Sequence, residues 1–360
     1  MKGWAKILIG VAAALGLLAI YLLFWPVPMD PVAWTPPEPP TLTGTYEPNN
    51  RLAAVERLGE GACIGPEDVV VDTQDRIYSG MQNGRILRFK SDGTSPEVFA
   101  DTGGRPLGLH FDRDGNLVVA DAYKGLLSIS PDGAIKTLST EESGFPFRLT
   151  DDVDIAADGT IYFSDASFKF PIDKDMLDML EHRPNGRLLA YDPRTKTTRL
   201  LLDELYFANG VAVSPDQSFI LVAETGMARV KRYWLAGPKK GKSDIFIDDL
   251  PGYPDNISSN GKDTFWLALG SVRDPGMEGL LPHPFLRKII VRLPQFLLPD
   301  LQPYGFVLGL DLGGRVVYNL QNPSGESYSF ISSAQEHQGM LYLGSIKEDA
   351  IGRLSVPERY

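Results

Sequence analysis

The sequence predicts an all-β protein, a six-bladed β-propeller, preceded by an N-terminal transmembrane helix. Three observations support this fold class: a long apolar run near the N-terminus, dense turn signals between short strand-like runs, and a sequence motif that recurs along the chain. In this motif a polar or turn-forming residue precedes a short apolar strand. We expect the Asn209-Gly210 pair to form such a turn. The copies stand roughly 40 to 57 residues apart, a spacing typical of blades with four short strands. The positions that open them are Glu67, Leu107, Asp152, Asn209 and Asp255.

The apolar run covers residues 7–25 and is long enough to cross a bilayer, since about 19 helical residues at about 1.5 Å each match the hydrocarbon core. Lys2 and Lys6 precede the run, and Asp30 is the first charged residue after it. The positive-inside rule therefore predicts a cytoplasmic N-terminus and a propeller on the periplasmic or extracytoplasmic side. A cleaved signal peptide is the alternative, but the run ends without the small residues of a cleavage site, which favours an uncleaved anchor.

The composition changes after the anchor. Seven prolines lie between residues 26 and 40 and predict a polyproline-like spacer that holds the propeller away from the membrane. The expected organisation is a cytoplasmic stub and anchor over residues 1–25, a proline-rich linker over 26–50, and a propeller over 51–360 with insertions near 169–186 and 272–304.

The sixth blade is predicted from the C-terminal part of the chain. Residues 329–332, 339–345 and 351–356 are three strand-like runs, and the run at 55–58 is expected to add the outer strand and close the ring.

The second insertion contains residues 286–298, in which basic residues interrupt an apolar stretch. One interpretation is a lid packed over the mouth of the propeller, which needs no further assumption. The other is an interfacial segment that contacts the bilayer beside the anchor.

Composition and charge exclude several function classes. The chain has 360 residues and a net charge of −11, which disfavours nucleic acid as a partner because phosphate binding needs clustered Lys and Arg. Its single cysteine, Cys63, cannot form a disulfide within the chain and is expected to be a buried apolar residue. Neither a G-x-S-x-G nor an H-E-x-x-H pattern is present, which disfavours a serine or a zinc hydrolase. The oligomeric state is not predicted.

Oxygen-bearing residues open several of the repeated strands. In a propeller the innermost strands begin near the central axis on one face, so residues at these positions come together. Carboxylates and amides without sulfur or imidazole are typical of a calcium site rather than a zinc or copper site. Each residue alone could simply cap a turn, but their equivalent places in four repeats favour a shared metal. The predicted ligands are Glu67, Asp151, Asn209, Asp255 and Asn256.

Several segments occur in the order of a known family: GPEDVVVD from residue 65, LTDDVDIAADGTIYFSDAS from residue 149, LLDELYFANGVAVSPD from residue 201 and GYPDNI from residue 252. Over residues 55–356 the chain resembles the strictosidine-synthase-like family, and within it the adipocyte plasma membrane-associated group, which also has an N-terminal anchor. Paraoxonases and gluconolactonase/senescence-marker proteins are similar at a greater distance. The resemblance implies a six-bladed propeller.

The resemblance also implies roles for individual residues. Glu67, Asn209, Asp255 and Asn256 match the central calcium ligands of paraoxonases, and Asp151 stands where those enzymes have an asparagine. A second, structural calcium is implied by a further match, which comprises Asp68, Asp152 and the backbone carbonyl of Leu109.

Two catalytic features of the relatives are absent. The histidine pair proposed as the base in paraoxonases is missing, and Leu107 and Asp121 stand near those places. The glutamate of true strictosidine synthases is also missing, since residues 331–334 read Ile-Ser-Ser-Ala, so alkaloid condensation is disfavoured.

These observations predict a membrane-anchored, calcium-dependent hydrolase of esters or lactones, of arylesterase type. The substrate would be a small ester or lactone whose carbonyl a calcium ion polarises for attack by water. Asp255 is the first candidate for the base, by analogy with related propellers, and Asp121 is the second, by its expected position near the mouth. The alternative is a non-catalytic binding or interaction propeller in which calcium is structural, because propellers support many functions.

Overall fold

The computed structural model describes residues 2–298 and 301–359. Met1, Pro299, Asp300 and Tyr360, which belong to the predicted anchor, insertion and propeller ranges, lie outside the described residues. Helix α1 spans Lys2–Phe24. Within the described residues it is the one helix long and apolar enough to cross a membrane, and it is not buried against the rest of the protein. Helix α1 therefore fits a single-pass membrane anchor.

Six four-stranded antiparallel sheets form the predicted six-bladed propeller. Strand β1 (Glu56–Leu58) precedes them. Blade one has β2 (Val69–Val71), β3 (Ile77–Gly80), β4 (Arg85–Phe89) and β5 (Glu97–Asp101). Blade two has β6 (Pro106–Phe111), β7 (Leu117–Asp121), β8 (Gly125–Ile129) and β9 (Ile135–Ser139), and a hairpin of β10 (Glu141–Glu142) and β11 (Phe145–Pro146) follows it. Blade three has β12 (Thr150–Ile155), β13 (Ile161–Asp165), β14 (Gly186–Asp192) and β15 (Thr197–Leu205). Blade four has β16 (Ala208–Val213), β17 (Phe219–Glu224), β18 (Arg229–Trp234) and β19 (Ser243–Ile247). Blade five has β20 (Gly252–Ser259), β21 (Phe265–Val272), β22 (Gly305–Leu310) and β23 (Val316–Asn322). Blade six has β24 (Ile331–His337), β25 (Met340–Ser345) and β26 (Ile351–Ser355).

The ring is closed by the two ends of the propeller sequence. Strand β1 pairs antiparallel with β26, with Glu56 opposite Arg353 and Leu58 opposite Ile351. The prediction that residues near 55–58 supply the outer strand of the sixth blade is therefore confirmed.

An apolar cluster fills each interface between neighbouring blades. Strand β7 shows how alternation creates these interfaces, because successive side chains of a strand point to opposite faces. Val119 packs in a cluster with Tyr78 of blade one, whereas Val118 packs in a cluster with Phe163 of blade three. Each blade thus buries both faces, and burial of apolar area at about 25 cal/mol per Å² stabilises the ring.

The Asn209-Gly210 pair lies inside strand β16 and not in the expected turn. The ladder between β16 and β17 shifts register between Ala208 and Val211, so the pair forms an irregularity within the strand. A Cβ on Gly210 would lie 2.3 Å from the backbone nitrogen of Ile257 in the next inner strand. Glycine is needed here because two backbones approach closely. In the sequence alone, such a glycine cannot be told from one that forms a turn.

A carboxylate at the end of the second strand holds the start of the inner strand in three blades. Asp121 accepts a hydrogen bond from the backbone nitrogen of Arg105 (3.0 Å), and Asp165 accepts one from that of Leu149 (3.0 Å). Glu224 accepts the equivalent bond from Tyr206 (3.1 Å). All three acceptors are fully buried, so this repeated bond fixes where each inner strand begins.

Two long segments between strands carry helices. Helix α2 (Asp175–Glu181) lies between β13 and β14, and α3 (Pro275–Glu278) and α4 (Pro284–Ile290) lie between β21 and β22. Short 3₁₀ helices cover Gly44–Tyr46, Ile172–Lys174, Thr225–Met227 and Gln295–Leu297.

The proline-rich segment packs against the propeller and does not form the expected free spacer. The backbone nitrogen of Val32 donates to the carbonyl of Glu181, and that of Trp34 donates to the carbonyl of Leu281, both at 3.1 Å. The Trp34 ring stacks on His182 with a centroid distance of 4.2 Å. Proline content predicts an extended backbone but gives no information on whether that backbone is docked.

Candidate metal centre

A cavity of about 490 Å³ lies where the inner strands of several blades begin. The structure brings four of the five predicted central ligands into its wall: Glu67, Asp151, Asn209 and Asp255. The fifth, Asn256, is buried and lines a second, smaller cavity instead, and its Nδ2 donates a hydrogen bond to Oε1 of Glu67 (3.2 Å). The other side of the cavity is apolar and includes Leu107, Leu149, Ile172 and Phe207.

Three buried oxygens in this set have no hydrogen-bond partner. They are Oε2 of Glu67, Oδ1 of Asn209 and Oδ1 of Asn256. An unsatisfied buried polar atom costs about 1–3 kcal/mol, so each of the three needs an explanation. A hard cation bound by oxygen would satisfy such atoms, and the chemistry of the donor set fits calcium.

The carboxylates are crowded with like charges. Burial, followed by repulsion from Asp255 and Asp151, raises the pKa of Glu67 well above its usual value. The pKa of Asp151 is raised in the same direction by burial and then by Asp255. Burial raises the pKa of Asp255 to about 7, although a hydrogen bond from Asn209 opposes the shift. Burial and mutual repulsion thus disfavour the charged forms of these three carboxylates when no cation is bound.

The acidic residues do not form a metal site by themselves. Across residues 2–298 and 301–359, no group of three or more His, Cys, Asp or Glu side chains is placed to hold a metal ion. A complete coordination set at the cavity therefore depends on the amide oxygens of Asn209 and Asn256.

Asp121 does not line the cavity, which corrects the expectation that it stands near the mouth as a second candidate base. Its carboxylate is fully buried and accepts hydrogen bonds from Thr102 Oγ1 (2.6 Å) and from the backbone nitrogens of Arg105, Tyr123 and Lys124 (each 3.0 Å). These bonds occupy the acceptor positions of the carboxylate. Asp121 ends strand β7, just as Asp165 and Glu224 end the second strands of blades three and four, so its role is the same structural one.

Arg105 lines the same cavity and was missed by the sequence reasoning. Its side chain is 7% exposed, and Nη1 donates to the carbonyl of Gly65 (3.1 Å). Arg105 stands two residues before Leu107, in the repeated motif that opens blade two. Its position in this motif could therefore have indicated that it reaches the cavity. Blade two thus contributes the cation Arg105 and the apolar Leu107 to the cavity wall.

The residues proposed for a second calcium meet in a separate cavity of about 50 Å³. Asp68 accepts hydrogen bonds from the backbone nitrogens of Val69 (2.8 Å) and Leu109 (2.9 Å). Asp152 accepts them from Val153 (2.8 Å) and Val211 (2.7 Å). Both carboxylates therefore tie their own blade to another one. Leu109 contacts Asp68 through its N–H, which is distinct from the carbonyl that the resemblance assigns to the metal.

Comparison with known proteins places the chain in a family. Residues 151–238 match the strictosidine synthase family model, and residues 44–89 match the model for the strictosidine synthase-like N-terminal region. The adipocyte plasma membrane-associated protein of Rattus norvegicus is 36% identical over 372 residues, which cover 97% of this chain and 98% of that protein. The chain belongs to the strictosidine synthase-like family. Within this family, the protein named strictosidine synthase-like 7 of Arabidopsis thaliana is 39% identical over 313 residues, which cover 85% of this chain and 82% of that protein.

Solved structures share the propeller fold at low sequence identity. A gluconolactonase from Xanthomonas campestris superposes with a TM-score of 0.62 and 18% identity, and the match covers 92% of this chain and 99% of that one. A calcium-binding regucalcin from Agrobacterium tumefaciens superposes with a TM-score of 0.60 and 13% identity, and the match covers 83% of this chain and 92% of that one. At these identities the likeness shows the fold alone.

Proposed function

We propose that this protein is a membrane-anchored, calcium-dependent hydrolase of esters or lactones, of arylesterase type. The observation that carries the proposal is the group of three buried oxygens without partners, on Glu67, Asn209 and Asn256, beside a cavity that a small substrate could enter. The lactonase and calcium-binding names of the propellers that share the fold support the same class.

The residues of the cavity have separate roles in the proposed reaction. A calcium ion held by Glu67, Asp151, Asn209, Asp255 and Asn256 would supply the positive charge that polarises a carbonyl. Asp255, which lines the cavity, would accept a proton from the attacking water. The apolar side chains of Leu107, Leu149 and Phe207 would bind the acyl or aromatic part of the substrate and exclude bulk water.

We propose that the propeller lies on the periplasmic or extracytoplasmic side, as the charges around α1 predict. Arg292 connects the anchor to the second insertion, because its Nη1 and Nε donate to the carbonyls of Leu22 and Trp25, both at 2.7 Å. None of residues 286–298 lines the central cavity among the described residues, whereas Phe296 and Leu297 are exposed. These features favour the interfacial interpretation of the segment over the lid.

The function can be tested by turnover assays on the full-length protein in detergent. Phenyl acetate and a panel of lactones would be offered with calcium and with a chelator. We expect hydrolysis that needs calcium and that Asp255→Asn removes. Asp203→Asn is the matched control, since Asp203 is an exposed aspartate on strand β15. Turnover that is indifferent to both chelation and Asp255→Asn would refute the mechanism, and calcium binding without turnover would favour a binding propeller.

A further inference from the structure

The antiparallel order of the blades gives the propeller two distinct faces. The start of each inner strand pairs with the end of the second strand, as Thr150 does with Asp165 and Gly252 does with Val272. The connections from second to third strands, and from outer strands to the next blade, therefore lie on the same face as the central cavity. We call this face the cavity face, and the remaining connections between strands lie on the opposite face.

Large apolar side chains are exposed in the connections of the cavity face around the ring. Outside residues 286–298 this set includes Ile64, Tyr123, Phe168, Met176, Phe285 and Ile346. Tyr123 and Ile346 also line the central cavity, so the apolar surface continues into its mouth. In the connections of the opposite face, Leu312 is the one exposed large apolar residue of the described chain. This concentration on one face indicates a surface that contacts an apolar partner.

The anchor meets the propeller at the cavity face. The second insertion joins the second and third strands of blade five, so it belongs to this face. Its residue Arg292 donates to the carbonyls of Leu22 and Trp25 at the end of α1, and the hydroxyl of Tyr21 donates to the carbonyl of Arg292 (3.3 Å). The bilayer that would hold α1 is therefore next to the exposed apolar residues of the cavity face.

Arg287 connects the second insertion to the first. Its side chain is fully buried, Nη1 donates to the carbonyl of Leu180 near the end of α2 (2.6 Å), and Nη2 donates to the carbonyl of Val32. Helix α2 begins at Asp175, which lines the central cavity. A continuous series of contacts thus runs from α1 through the second insertion and α2 to the cavity wall, so the anchor and the cavity have a fixed relative orientation.

We propose that the cavity face lies on the surface of the bilayer that holds α1, and that Arg292 keeps it in this orientation. Exposed charged residues such as Lys169 and Asp173 stand between the apolar ones, which fits the headgroup region of a bilayer rather than its hydrocarbon core. The mouth of the cavity then opens into the lipid interface, and its substrate is an amphiphilic ester or lactone dissolved in the bilayer. The contact surface is independent of catalysis, whereas the substrate class rests on the proposed function.

Spin labels on the full-length protein in phosphatidylcholine liposomes test the contact surface. Met176→Cys places a label on α2, and Ile64→Cys places one in the loop before blade one, away from the second insertion. Both labels should be more accessible to oxygen than to a water-soluble nickel reagent, and a label at Leu312→Cys on the opposite face should show the reverse. Water-like accessibility at Met176 and Ile64, even with lipid contact at Phe296, would overturn the proposal.

The role of Arg292 is tested on the same labelled proteins. Arg292→Met removes the bonds to the end of α1, so the ratio of oxygen to nickel accessibility at Met176 and Ile64 should fall about twofold or more while α1 stays inserted. Arg194→Met is the matched control, since Arg194 is an exposed arginine in a connection of the opposite face. Equal ratios in both variants would show that Arg292 does not set the orientation.

The substrate class is tested with phenyl esters of long-chain acids dissolved in the same liposomes. At constant bulk concentration of the ester, added phospholipid dilutes it within the bilayer, and the rate of hydrolysis should fall with its mole fraction. The rate with water-soluble phenyl acetate should not change. A rate for the long-chain ester that follows bulk concentration alone would contradict entry from the bilayer. Should no ester be hydrolysed, the proposed function and the substrate class fail, and the labels still decide whether the cavity face lies on the membrane.

Discussion

The side chain of Asn256 in blade five donates a hydrogen bond to Glu67 of blade one across 3.2 Å, and each residue keeps one side-chain oxygen without a partner. The bond joins two inner strands that are far apart in sequence. The free oxygens are Oε2 of Glu67 and Oδ1 of Asn256, and both are buried. The hydrogen bond orients both side chains and leaves one oxygen of each free. Metal ligands are commonly held in this way, by a bond that does not involve the coordinating atom.

Removal of calcium should make the stability of the protein depend on pH. In the metal-free protein the pKa of Asp255 is raised from 3.8 to about 7 by burial, so the folded state holds a proton that the unfolded chain has released. The folded state is then favoured at low pH, and its stability falls as the pH rises from about 4 to about 7. Calcium would bind the ionised carboxylates, so the increase in melting temperature on calcium addition should be larger at pH 8 than at pH 5. An equal increase at both pH values would contradict this assignment.

Asp121→Asn should destabilise the fold and leave the metal centre in place. The carboxylate accepts hydrogen bonds from Thr102 Oγ1 and three backbone nitrogens, and an amide at this position loses charge-assisted acceptor bonds in a fully buried place. We expect a loss of about 2–4 kcal/mol in the free energy of unfolding by denaturant, with Asp203→Asn as the control. Lost turnover at unchanged stability would instead make Asp121 a catalytic residue.

The docked proline-rich segment should contribute measurably to stability. Trp34→Ala removes the ring that stacks on His182 and should lower the free energy of unfolding by about 2 kcal/mol. Trp34→Phe should retain part of this contribution. Val32→Ala is the matched control in the same segment, because the Val32 side chain is exposed. No difference between Trp34→Ala and Val32→Ala would mean that the segment is not held in solution.

Phe296 should lie in the bilayer interface when the protein is embedded in liposomes. The only native cysteine, Cys63, should not react with a thiol label, because it is buried and burial raises the pKa of its thiol to about 12. A spin label on Phe296→Cys should be more accessible to oxygen than to a water-soluble nickel reagent. Val98→Cys, on an exposed position of β5, should show the reverse. Equal, water-like accessibility at both positions would exclude membrane contact at Phe296.

Local patterns predicted the parts of the fold that depend on local chemistry. The alternation in strands such as β7 and the dense turn residues predicted the blades, and the symmetry of a propeller then brought Glu67, Asn209 and Asp255 to one cavity. Asn209-Gly210 shows the limit of this reasoning, because glycine is needed there for contact with Ile257 and not for a turn.

The remaining features depend on partners that a sequence does not reveal. Asp121 was expected near the mouth, but its role is set by backbone nitrogens of the loops around it. Arg105 belongs to the site through the carbonyl of Gly65, a contact between two blades. The surface that receives Trp34 is formed by α2 and the second insertion, so the proline pattern alone could not indicate that it docks.

Calcium titration of the full-length protein and of Asn209→Ala tests the central claim most directly. Asn209 offers an unpartnered amide oxygen to the cavity, and its removal takes away one ligand while the strand keeps its backbone pairing. We expect calcium binding by isothermal titration in the unaltered protein and a Kd at least tenfold weaker in Asn209→Ala, with the circular dichroism spectrum unchanged. Absence of calcium binding in the unaltered protein, or an equal Kd in both proteins, would contradict a metal centre at this site.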